Sequence, residues 1–229
     1  MKTLIIGEKY REKLEKHLHF LGFDVFWLPN NTDINIKLSG HSDLSVFIHE
    51  RNAILAPYLK GSELVNFLTN GGYNVIISTE KQSELYPGDV NLCASLINNK
   101  ILHCSKYTDK AILDLQLDSI DVKQGYTRCS CLIFGNCVIT SDKGIASALK
   151  RNNIEILLIN NEGIVLEGYD RGFIGGASFV CDNTVYFVGD INKHPDGKLI
   201  TDFIMTHNYK IACVSDGDLF DIGGAVVIS

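Results

Sequence analysis

One short handover recurs five times in this chain, and it limits the fold more than any other feature. The copies read Gly22-Phe23-Asp24-Val25, Gly72-Tyr73-Asn74-Val75, Ser119-Ile120-Asp121-Val122, Asn153-Ile154-Glu155-Ile156 and Asn208-Tyr209-Lys210-Ile211. Four of the five open on Gly or Asn, residues that accept the left-handed conformation with which helices commonly end. All then run apolar, polar, β-branched into a strand. A chain that ends a helix and starts a strand in the same way at five places is built from repeated units.

A second series marks where each unit begins, with small or polar residues ahead of an apolar run: HSDLSVFI (41–48), NLCASLI (91–97), RCSCLIF (128–134), FIGGASFV (173–180) and DIGGAVVI (221–228). With Asp43, Asn91, Cys129, Gly175 and Gly223 as anchors, the intervals are 48, 38, 46 and 48 residues. The interval from Gly223 past the C-terminus and on from Met1 to Asp43 is 49. Residues 172–214 show one unit whole: an apolar run, the turn Cys181-Asp182-Asn183, a second run TVYFVGD, a helix opened near Pro195-Asp196, and YKIACV. The order is ββαβ. One such unit cannot bury its own apolar face, and a unit shared between the two termini predicts a closed ring. The expected fold is α/β, a five-fold pseudosymmetric α/β propeller of ββαβ units closed by the termini, with residues 1–229 as a single domain. A doubly wound parallel sheet also alternates strands and helices. It has no regular place for the hairpins at SLINNKIL, LIFGNCVI and SFVCDNTVYF.

Helices are predicted over 8–21, 62–70, 109–118, 142–152 and 196–207, with Ser62, Thr108 and Ser141 as caps for the second, third and fourth. In the first, Tyr10, Leu14, Leu18 and Leu21 make an apolar stripe opposite a charged face. Hydrophobic residues are 45% of the 229, ample for a core, and the net charge of −6 argues against a nucleic-acid surface or an anionic membrane as partner. MKTLIIG runs straight into EKYREKLEKH without a signal-peptide core, and no apolar run approaches the roughly 20 residues of a membrane span. A soluble, cytoplasmic protein is expected. Seven cysteines without a C-x-x-C spacing suit reduced, buried thiols better than a disulfide or zinc framework. No metal and no cofactor is expected.

Strand starts in a closed arrangement converge on its axis, and here they carry small residues: Ser45, Cys93, Ser95, Cys129, Cys131, Gly175, Ala177, Gly223 and Ala225. Crowding explains that choice, and so does a site. Around these starts lie His41, Asp43, Asp89, Asn91, Asp170, Asp216, Asp218 and Asp221, with Arg128 and Arg171 as the nearby strong cations. Gathered at one mouth of the axis they would attract a small cation, although Asp and Asn are also ordinary turn residues. His41 and Asp43 fall on one face of an extended segment, as a base with its orienting carboxylate or as two metal ligands that lack a visible third. Cys129 has Arg128 beside it to lower a thiol pKa. Phosphate-binding, dinucleotide and serine-hydrolase motifs are missing from the sequence.

Five ββαβ units about one axis, with both termini in one unit and GFIGGAS and DIGGA as local echoes, resemble the pentein fold. That is the α/β propeller of guanidino-group-modifying enzymes such as arginine deiminase, agmatine deiminase and dimethylarginine dimethylaminohydrolase. The resemblance implies carboxylates that hold a guanidinium, an assisting histidine, and a cysteine near the C-terminus that attacks the central carbon. Here the last unit, Asp221-Ile222-Gly223-Gly224-Ala225, has no cysteine, none follows Cys213, and the fourth unit has Gly175-Gly176 and no histidine. The expectation is a protein that binds a small cationic guanidino or amino ligand in an acidic axial mouth without an intact hydrolase triad. Two alternatives stay open. One is a cysteine-dependent guanidine or amidine hydrolase or amidinotransferase, with Cys129 as nucleophile, His41 as general acid/base, and Asp43 and Asp221 holding the cation. The other is a non-catalytic interaction module, similar to the ribosome anti-association initiation factor with its comparable ring.

Overall fold

The computed structural model describes residues 2–228. Strand β1 (Lys2–Gly7) leads through a tight turn at Glu8–Tyr10 into α1 (Arg11–Phe20) and β2 (Phe23–Leu28). The next unit is β3 (Val46–His49), β4 (Asn52–Leu55), α2 (Glu63–Asn70) and β5 (Asn74–Ile77). It is followed by β6 (Ser95–Ile97), β7 (Lys100–His103), α3 (Lys110–Leu113) and β8 (Asp118–Asp121). A single helical turn, α4 (Thr127–Ser130), opens β9 (Cys131–Phe134), β10 (Cys137–Thr140), α5 (Lys143–Arg151) and β11 (Glu155–Leu158). After the short β12 (Ile164–Val165) come β13 (Ser178–Cys181), β14 (Thr184–Phe187), α6 (Gly197–Thr206) and β15 (Lys210–Cys213). Strands β16 (Leu219–Phe220) and β17 (Val226–Ile228) complete the order.

In each of these four units the first two strands form an antiparallel hairpin and the third lies parallel to the second. The same order is assembled from both ends of the chain. β17 pairs antiparallel with β1, Thr3 opposite Ile228 and Ile5 opposite Val226, and β2 lies parallel to β1. The fold is thus mixed α/β, made of small three-stranded sheets, with β12 and β16 as an additional parallel pair. Among the described residues no helix is long and apolar enough to cross a membrane.

The recurrent handover explains how a helix can be followed at once by a strand. Gly22, Gly72, Asn153 and Asn208 have φ of 85, 80, 56 and 63°, the left-handed values expected of them. The third copy is corrected: its left-handed residue is Gln116, φ 54°, whereas Ser119 already lies in β8 opposite Ile101. Helix α3 stops at Leu113 instead of reaching 118, so the turn arrives three residues early. Two caps are corrected as well. Asp109 and Asp142, not Thr108 and Ser141, accept the free N–H groups of Ala111 and Ile145, because a carboxylate at the N-cap also meets the positive end of the helix dipole. Ser62 stands at the N-cap of α2 with its hydroxyl unpaired.

Apolar packing joins each unit to the next. Phe47 and Ile54 pack with Leu92 and Ile101, Leu102 and Ile120 with Val138 and Leu149, and Phe134 and Ile139 with Val185 and Ile200. Phe179 and Val188 then pack with Leu4 and Leu14, and Ile5 and Val226 with Leu55 and Leu64. Residues from both ends of the chain take part in the last two. A sixth cluster, Ile34, Leu38, Leu44, Val90 and Leu166 with Tyr107, Tyr126 and Phe173, packs on Cys93 and Cys129.

Candidate functional site

Residues just ahead of four first strands meet in the interior. Asp43 sits in the turn Ser42–Leu44 before β3, Cys93 precedes β6, Cys129 lies in α4 before β9, and Asp221 precedes β17. Asp43 Oδ2 accepts a hydrogen bond from the Cys129 thiol. Cys93 Sγ lies 3.9 Å from both Cys129 Sγ and Asp43 Oδ2. His41 Nδ1 is 3.9 Å from Asp43 Oδ1, and that oxygen and both His41 ring nitrogens have no hydrogen-bond partner. Asp221 accepts backbone N–H groups from Phe173 at 2.8 Å and Gly223 at 2.9 Å. His41, Asp43, Cys129 and Asp221 are each at most 2% exposed.

Two glycines make room for this cluster. Gly223 has φ 73°, and a Cβ on it would stand 2.6 Å from the backbone and ring base of His41. A Cβ on Gly176 would overlap Asp221 Oδ1. The double glycines of GFIGGAS and DIGGA are therefore where the backbone closes against the acidic and imidazole groups.

Burial governs the charges. Desolvation, with Lys9 adding, pushes the His41 pKa down to about 3, so the ring is neutral. Desolvation raises Asp43 to about 6 against the opposing pull of the Cys129 hydrogen bond and Arg128. Asp221 is raised to about 7 by burial, opposed by its two N–H donors and assisted by Asp43. The Cys129 thiol is pushed well above its ordinary value by the Cys93 contact, burial and the nearby carboxylates. Burial thus disfavours the charged form of each of these groups.

The structure gathers His41, Asp43, Cys129 and Asp221 and places the other candidates elsewhere. Asp89 lies at the edge, with Oδ2 accepting from Tyr126 Oη, Oδ1 unpaired, and a pKa raised by burial. Asn91 is bonded within the protein: its amide donates to Asp109 Oδ2 at 3.1 Å and its carbonyl accepts from Gln82 at 2.9 Å. Arg128 donates to the Val46 carbonyl at 3.2 Å and lines a cavity of about 290 Å³. Asp216 and Asp218 are corrected. Both are exposed, and Asp218 pairs with Lys193 at 3.4 Å, because the segment after β15 turns to solvent before Leu219 re-enters the core. Sequence reasoning passed over Cys93 as merely small, and it found no third donor beside His41 and Asp43. Cys129, 86 residues from Asp43, brings a third such atom within 4.8 Å of theirs. Its position at the unit anchor was the available signal.

Sheets of this order, with chemistry gathered at the strand starts, define a pentein-type protein, and solved structures agree. DDAH from Pseudomonas aeruginosa, complexed with citrulline, matches with a TM-score of 0.61 at 12% identity over 99% of both chains. The product-bound N-terminal domain of ArgZ, an arginine dihydrolase from the ornithine-ammonia cycle in cyanobacteria, matches with a TM-score of 0.58 at 8% identity over 98% of this chain and 94% of its own. C. jejuni agmatine deiminase gives a TM-score of 0.57 at 11% identity over 99% and 92%. The chain shares the fold of these three proteins. It belongs to the family of unknown function DUF6873, whose profile matches residues 5–226. No curated protein matches it.

Proposed function

We propose that this protein is a closed, single-domain pentein ring of pseudo-five-fold symmetry that binds a small guanidino or amino cation between Asp43 and Asp221 without hydrolysing it. The ring reading rests on the apolar clusters that link each unit to the next through the split one, and on the axial cavity, lined by β3, β6, β9, β13 and β17 together. The ligand reading is carried by uncompensated buried acidity. Two carboxyls are wholly buried, Asp43 Oδ1 has no partner, and among the described residues no Lys or Arg forms an ion pair with either. Leaving a buried carboxylate unpaired costs several kcal/mol, on the order of 3–5. A guanidinium offers a planar fork of donors that suits carboxylate acceptors.

The thiol chemistry argues against hydrolysis, since Cys129 is held protonated and the last unit has no cysteine. Titration calorimetry with arginine and agmatine tests the reading. Micromolar to millimolar binding that weakens at least tenfold in Asp43→Asn and Asp221→Asn is expected, and equal binding by both variants would sink it. The hydrolase reading keeps one observation in its favour: donor atoms of His41, Asp43 and Cys129 all lie within 4.8 Å of one another. Alkylation separates the two. Cys129 should react with iodoacetamide near neutral pH no faster than buried Cys137, whereas a poised nucleophile would react far faster.

A further inference from the structure

We propose that His41, Asp43, Cys129 and Cys93 form a binding site for a single thiophilic divalent cation of the zinc type. The donors are one imidazole, one carboxylate and two thiols, a set that suits Zn²⁺ better than the hard cations Ca²⁺ or Mg²⁺. Three of their spacings are close to those of such a site, while the shorter contact of Cys129 with Asp43 has to open. In a tetrahedral site with Zn–S near 2.3 Å and Zn–N or Zn–O near 2.0–2.1 Å, ligand atoms stand roughly 3.3–3.8 Å apart. Cys93 Sγ to Cys129 Sγ, Cys93 Sγ to Asp43 Oδ2, and His41 Nδ1 to Asp43 Oδ1 are each 3.9 Å.

The independent observation is His41 itself. Its side chain is 2% exposed and neither ring nitrogen has a hydrogen-bond partner, while the adjacent Asp43 Oδ1 is equally unpaired. A buried imidazole with two vacant nitrogens is costly unless something occupies one of them. Its two nitrogens cannot both be satisfied by the charged groups nearby, because Lys9 is a cation and Asp43 offers only an oxygen 3.9 Å away. Binding is a proton-for-metal substitution with no redox change: M²⁺ enters, the thiol protons of Cys129 and Cys93 leave to solvent, and the contact between Cys129 and Asp43 opens to a ligand edge. The inference goes beyond the guanidino reading and needs no guanidino compound for its test, so either can fail alone. Both use Asp43, so metal and organic cation exclude each other.

A second donor set, Cys137, Glu155 and His207, must be told apart from the first. It lies near the surface, with His207 Nε2 already 3.2 Å from Glu155. The experiment is titration of metal-free protein with Co²⁺, read by sulfur-to-cobalt charge-transfer absorption and tetrahedral d–d bands, followed by displacement with Zn²⁺. One equivalent should develop both bands. Apparent affinity should fall at least tenfold in Cys129→Ser and in His41→Gln, and the charge-transfer intensity should drop by about half in Cys93→Ser, while Cys137→Ser keeps the native spectrum. Should a variant fail to fold, the native protein decides: no charge-transfer band at one equivalent overturns the site. Bands of native intensity and affinity in Cys129→Ser, or bands that vanish in Cys137→Ser alone, overturn it equally.

Discussion

Gly223 and Gly176 hold the backbone against His41 and Asp221, and each makes a sharp expectation. Gly223→Ala forces a Cβ into His41 at a left-handed backbone position, and Gly176→Ala forces a Cβ into a buried carboxylate. Each should lower stability by about 2–4 kcal/mol, read as a shifted denaturant midpoint. Asp221 makes a second. Its folded pKa is raised to about 7 from 3.8, so between those pH values the native state holds a proton that the unfolded chain has lost. Its contribution to stability is therefore present below pH 4 and declines as pH rises through 7. His41 acts oppositely: lowered to about 3, it costs stability as pH falls below 6.5. Urea midpoints of metal-free protein at pH 5 and pH 8 should differ less in Asp221→Asn than in the native chain, and an unchanged difference would contradict the assignment. At this scale the sequence made His41 and Asp43 visible through their i, i+2 spacing. It could not separate buried Asp221 from exposed Asp216 and Asp218, because acidic turns look alike until the chain's path decides which faces inward.

The elements were legible where backbone chemistry speaks locally. Hairpins, left-handed Gly and Asn, and the ββαβ order all follow from turn residues between apolar runs, and the structure has them in place. Where several polar residues stand together at a helix start, local pattern does not say which will cap. Asp142 caps α5 through one bond to Ile145, so Asp142→Ala should cost about 1 kcal/mol. Asp109 caps α3 and also accepts from Ser78 and from Asn91 while 1% exposed. Its loss strands several buried donors, and Asp109→Ala should cost about 2–4 kcal/mol. Equal costs for the two would show that the Ser78–Asp109–Asn91 network adds nothing to the cap. The shifted third handover has the same lesson: Ser119 matched the pattern in letters, but the four-residue α3 ended too soon for it.

For the whole molecule, both termini build one sheet, so the ends of the chain belong to its core. Deleting 221–229 removes β17, Asp221 and the packing of Ile222 and Val226. The shortened chain should lose its cooperative melting transition, and a retained melting temperature would contradict ring closure. The period of about 48 residues made this architecture readable, since a split repeat must be completed by its other half. The site was readable only in part, because its members come from different units and meet only once those units pack together. The most direct measurement of the central claim is the melting temperature of metal-free protein with arginine, agmatine, methylated arginines and polyamines. A ligand at about a hundred times its dissociation constant adds roughly 2.7 kcal/mol, several degrees for a chain of this size. The account predicts such a rise for at least one guanidino or amino compound and its loss in the Asp43→Asn, Asp221→Asn double variant. No rise with any of them at millimolar concentration, or one that persists in the double variant, would contradict it.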